Sequence, residues 1–99
     1  MTDFDDDQLA AESARKKEIL LQRDIDDIRF VMDSAQGRRV IWAVLEQGKV
    51  FSACFACDPQ VTAFNEGQRN LALALFQRVM AHCPDQYLKM AAEANEETK

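Results

Sequence analysis

Three things are scarce in this sequence: long apolar runs, an excess of positive charge, and the side chains from which catalytic sites are assembled. No apolar run approaches the roughly 20 residues that cross a bilayer, and the acidic start, Asp3 and Asp5 to Asp7, is unlike the basic leader of a secretory signal. Membrane insertion and export are disfavoured, and an intracellular location is expected. Lys and Arg number 12 against 17 Asp and Glu, for a net charge of -5. Residues 1–20 hold six acids and three bases, residues 92–99 three acids and one base, and residues 21–91 eight of each. A neutral body between acidic ends disfavours nucleic acid as a partner, because counterion release needs clustered cations. The single histidine, His82, has no nucleophile or carboxylate placed beside it by spacing, so no enzymatic activity is expected. Its position suits a helix C-terminus, where a base favours the dipole. Three cysteines form no complete disulfide set, and reduced thiols are the expectation.

What is present is helical. At 99 residues the chain has room for one compact domain, and its 47% apolar share is ordinary for a globular protein. Residues 1–20 read as an acidic lead and an N-terminal helical arm. From Gln8 to Gln22 the propensity is helical, yet Leu9 is the only large apolar residue before Ile19, which leaves little to pack with. From Ile19 onward, Leu20, Leu21, Ile25, Ile28, Val31 and Met32 share one wide arc. Ile19 and Phe30 fall together on the opposite side, so that a second element or a partner must cover them. Leu9, Ile19 and Phe30 are the candidate partner surface.

A break at Ser34 to Gly37, with Asp33 or Ser34 as cap, leads into a second helix that ends at Gly48, expected there in a left-handed conformation. Its spacing buries Val40, Ile41, Trp42, Val44 and Leu45. Arg38 falls on the edge of that buried arc and needs a carboxylate or carbonyl partner, with Asp24 or Asp27 the first candidates. Phe51 and Phe55 are expected to anchor the following loop. Asp58-Pro59 is a strong start signal for a third helix from Pro59 to about His82. This helix is apolar over more than half its girth and is expected to be central. Gly67, Ala74 and Ala81 form a small-residue strip on which another helix could settle. Cys83-Pro84-Asp85 ends it and caps a fourth helix carrying Tyr87, Leu88, Met90 and Ala91. Residues 21–91 thus form the helical domain and 92–99 an acidic tail. The fold class is all-α, a bundle of about four helices with a long central third helix and a partly independent N-terminal arm.

Several constellations compete with this structural reading. Cys54 and Cys57 with His82 and Cys83 have the ligand types for zinc. Most of the chain between Cys57 and His82 is one long helix, however, which does not suit closure of a site, so no metal or cofactor is expected. The helical hairpin from Ile25 to Gln47 could be a helix-turn-helix with Arg38 and Arg39 reaching phosphates. The turn chemistry is equally that of any packed hairpin. Glu66 and Arg69 can interact at i, i+3, and with Asp24, Asp27 and Arg38 they are read as a structural brace between helices.

From Asp27 to Met90 the residues resemble a family of small tailed-phage proteins first noted in a Bordetella podophage and encoded among head and portal genes. The resemblance is carried by Asp27-Ile28-Arg29-Phe30-Val31-Met32, by Gly37-Arg38-Arg39 with Trp42 and Leu45, and by Phe51 and Phe55. It continues in Phe64-Asn65-Glu66-Gly67-Gln68-Arg69-Asn70 with Leu73, and in Cys83-Pro84 with Tyr87 and Met90. Ala72 stands where glycine is expected in many members, which bears on how closely another helix approaches there. The resemblance implies a non-enzymatic role in virion structure or head assembly, with a phage head, portal or scaffold protein as partner. The location it implies is the host cytoplasm during assembly, with the virion and homo-oligomerisation as open alternatives. A small DNA-binding or packaging accessory module is the competing function.

Overall fold

The computed structural model describes residues 3–51 and 58–97, with side chains from residue 5 onward. Four helices account for these residues, and no strand is found among them: α1 (Asp3–Met32), α2 (Ala35–Gln47), α3 (Pro59–His82) and α4 (Pro84–Glu97). Phe55, Cys54 and Cys57 lie outside the described residues.

The helix boundaries follow local chemistry. The Ser34 hydroxyl accepts a hydrogen bond from the Gly37 amide at 3.0 Å, capping α2. Asp58 accepts from the Gln60 amide at 2.8 Å, and Pro59 opens α3 with an amide that needs no partner. Cys83 closes α3, and α4 begins at once with Pro84, so that the two helices meet at a sharp corner. The α1–α2 corner is equally tight. A Cβ at position 37 would overlap the Val31 carbonyl, so the backbone can turn there only with glycine.

Gly48 departs from expectation. Its φ of -78° is right-handed, and the left-handed residue is Lys49 at φ 56°. Glycine is required at 48 for a different reason: a Cβ there would overlap the Cβ of Ala72 and stand 3.2 Å from the Gln68 carbonyl. The end of α2 therefore lies directly against α3. The close helix approach anticipated at Gly67 does not occur, because nothing lies within 4 Å of a Cβ at that position.

α2 and α3 each pack against all three other helices. The core is Ile28 and Met32 of α1, Ile41 and Leu45 of α2, Val50 after it, Ala72 and Val79 of α3, Cys83, and Met90 of α4. An aromatic ladder runs along one side, in which Trp42 stacks on Phe51 at 5.4 Å, Phe51 meets Phe76 edge-on at 5.9 Å, and Phe76 meets Tyr87 edge-on at 5.4 Å. Phe51 packs against the Trp42 and Phe76 rings while remaining half exposed.

Three expectations about apolar faces are corrected. Leu20 and Leu21 share the arc of Ile28 and Met32 but are exposed, because that part of α1 extends beyond the bundle. Val40 and Val44 lie on the outer face of α2. In α3, expected to be central because it is apolar over more than half its girth, the arc bearing Phe64, 65% exposed, and Leu71, 77% exposed, faces solvent. The expected tail from residue 92 is helical to Glu97, and the N-terminal arm, expected to be partly independent, is continuous with the rest of α1.

Candidate functional site

The best-built polar arrangement lies where the C-terminal end of α1, the start of α2 and the middle of α4 meet. Arg38, 4% exposed, makes four hydrogen bonds there. Its Nε donates to Glu93 Oε1 at 2.7 Å and its Nη2 to Glu93 Oε2 at 3.1 Å, a bidentate pairing. Its Nη1 donates to the Met32 carbonyl at 2.9 Å and to Gln86 Oε1 at 3.2 Å. Met32 ends α1, and its carbonyl is one of those a helix terminus leaves without an internal partner. The pairing holds the Glu93 carboxyl below its ordinary range and pushes the Arg38 guanidinium further up, the hydrogen bond between them being the main cause.

Other arginines repeat the pattern of binding a carbonyl. Arg29 Nε donates to the His82 carbonyl at 3.0 Å, covering the C-terminus of α3. Arg78 bonds both the carboxylate and the carbonyl of Asp24, joining α3 to α1. Arg69 reaches the Val50 carbonyl at 3.5 Å. In each case a cation from one element satisfies the backbone of another.

The expected brace is thereby rearranged. Arg38 is buried and paired, with Glu93 and Met32 as partners in place of Asp24 or Asp27. Asp24 belongs to Arg78, Asp27 is exposed, Glu66 is exposed on α3, and Arg69 turns to the loop after α2. The five residues do not converge. Glu93 and Gln86 were missed, although Gln86, Met90 and Glu93 recur at the 4,3 spacing that places them on one face with a core methionine. Reading residues from 92 onward as tail hid that signal.

The expected partner surface is exposed. Leu9 is 64%, Ile19 67% and Phe30 82% accessible, and every side chain from residue 5 to 23 is open to solvent. Phe30 lines a depression of about 600 Å³ together with Arg29, Asp33, His82, Gln86 and the buried Cys83. Burial raises the Cys83 thiol pKa, and the charge of Arg29 partly opposes the shift. Among the described residues no three metal-donor side chains converge, and none of the helices is long and apolar enough to cross a membrane.

Four helices tied at their corners by arginines, with half of α1 projecting, define a small all-α protein. The chain belongs to the Bbp19-like phage protein family, whose pattern matches residues 28–92. That span begins at Ile28, the first buried residue of α1 among the described side chains, and ends in α4 just before Glu93. No curated protein and no solved structure matches the chain.

Proposed function

We propose that this protein is a non-enzymatic accessory of phage head assembly or virion structure, acting by protein–protein binding through the projecting half of α1. The observation that supports this reading is the exposure of Leu9 and Ile19 on the projecting half of a helix whose other end is locked into the bundle, with Phe30 exposed at that locked end. A rigid base carrying an uncovered helical stretch is suited to docking in a groove on a partner. Membership in a phage family agrees with a head, portal or scaffold protein as that partner, met in the host cytoplasm during assembly.

Light-scattering titration with purified head, portal and scaffold proteins tests the proposal. Binding to one of them is expected, together with its loss on deletion of residues 1–20. Ile19→Ser combined with Phe30→Ser is expected to weaken binding without changing the thermal stability of the bundle. Undiminished binding by the deletion protein would overturn the role of the arm.

The competing DNA-binding function relied on Arg38 and Arg39; Arg39 is exposed, but Arg38 is buried and held by Glu93 and Met32. Arg29, Arg69 and Arg78 are engaged in the same manner. The other cations of residues 21–91 are Arg23, Arg39, Lys49 and Lys89, too few for a phosphate-binding stripe.

A further inference from the structure

We infer that the projecting half of α1 pairs with the same helix of a second copy, antiparallel, about a two-fold axis passing between Ala14 and Arg15. This inference rests on reading that half-helix as a binding arm, and it names one of the arm's partners.

On α1, Asp6, Leu9, Ser13, Lys16, Leu20 and Arg23 recur at intervals of 3,4,3,4,3, the alternation that keeps side chains on one seam of a helix. All six are exposed. The seam is self-complementary when reversed. With the axis between residues 14 and 15, Leu9 of one copy meets Leu20 of the other, and Asp6 meets Arg23. Glu12, flanking the seam, comes within reach of Lys16 on the same side. The two-fold axis doubles each of these contacts, as in any isologous interface. Four leucines and two kinds of opposite-charge contact are brought together by one register.

A parallel pairing of the same helices would set Asp6 against Asp6, Lys16 against Lys16 and Arg23 against Arg23, and like charges at such distances repel. The charge order along the helix therefore selects direction. The paired stretch from residue 6 to 23 is about 27 Å long, and it places the two bundles at opposite ends, where they do not collide. Phe30 lies beyond the paired stretch, so the dimer leaves it available to a different protein.

The test is a charge swap on the full-length protein. Sedimentation equilibrium of the purified wild-type chain is expected to show a monomer–dimer equilibrium that weakens with added salt. Asp6→Arg and Arg23→Asp are each expected to weaken dimerisation by about tenfold, because two exposed ion pairs are lost and two repulsions gained. The double variant Asp6→Arg/Arg23→Asp is expected to recover wild-type affinity to within a few fold. Circular dichroism should show all three variants as helical as the wild type. A wild-type chain that is monomeric throughout the micromolar range would overturn the inference, as would a double variant no better than the singles. Spin labels at Glu12 and Asp27 discriminate direction. In the antiparallel dimer the two labels at 12 lie close and the two at 27 far apart, and close approach at both sites would overturn it. The assay contains no phage partner, so its failure leaves the head-protein titration free to succeed.

Discussion

Arg38 and Glu93 are 55 residues apart in sequence and joined by two hydrogen bonds, at 2.7 and 3.1 Å, across the α2–α4 contact. The same guanidinium holds the terminal carbonyl of α1, so three helices meet on one side chain. Removing the cation leaves a carboxylate, a carbonyl and an amide oxygen without their donor in a partly buried site. Removal of one partner from such a pair costs much more than its net contribution. Arg38→Ala is expected to lower the melting temperature by roughly 10 °C or more. Arg38→Lys is expected to recover only part of that loss, because an ammonium cannot present the planar fork. Thermal unfolding followed by circular dichroism measures both, and an unchanged midpoint for Arg38→Ala would contradict the structural role.

The pH dependence of stability carries the same contact. Glu93 is held below its ordinary value of 4.5, mainly by the hydrogen bond from Arg38 and secondarily by its charge. The folded state therefore binds its proton less readily than the unfolded state. The associated stability is complete above the ordinary carboxylate range and is lost as pH falls through it toward the folded-state value. The stability difference between wild type and Glu93→Gln should shrink between about pH 6 and about pH 3. Denaturant titrations at several pH values provide the comparison; a difference that grows on acidification would reverse the assignment.

Two glycines should respond in opposite ways to the same substitution. Gly48→Ala would drive a methyl into Ala72 and is expected to cost about 1–3 kcal/mol. Ala72→Gly in the same chain should relieve the overlap and recover part of the loss. Gly67→Ala meets open space within a helix and is expected to stabilise by about 0.5–1 kcal/mol. Urea unfolding of the three variants separates close approach from helix propensity.

The Asp24–Arg78 pair is half exposed on both sides. Exposed pairs contribute little, so Asp24→Ala is expected to cost less than about 1 kcal/mol, far below the effect of Arg38→Ala. Equal losses in the two variants would show that solvent exposure does not distinguish these ion pairs.

Duplex DNA is expected to bind weakly if at all at physiological salt. Four arginines of the body are committed to backbone carbonyls, and residues 21–91 carry no net charge. Fluorescence anisotropy over a salt series is the measurement, and tight binding that persists at high salt would contradict this view.

Features decided within a few residues were legible in the sequence. Ser34 capping α2, Asp58-Pro59 opening α3 and Pro84 opening α4 each depend on an amide or ring one to three positions away. The need of Arg38 for a buried partner could also be read, from its place on the helix wheel. Which partner it takes could not. Glu93 lies on another helix, and only the packing of α4 against α2 brings it within reach. Exposure was decided in the same way. Phe64, Leu71, Val40 and Val44 are as apolar as the residues of the core, but a wheel shows only that an arc is apolar, not whether another helix lies against it. The sequence by itself therefore determined four helices, their caps and a cation that had to be paired. Tertiary structure alone decided its counter-ion, the helix faces left open and the length of α1 left projecting, because each depends on neighbours distant in the chain.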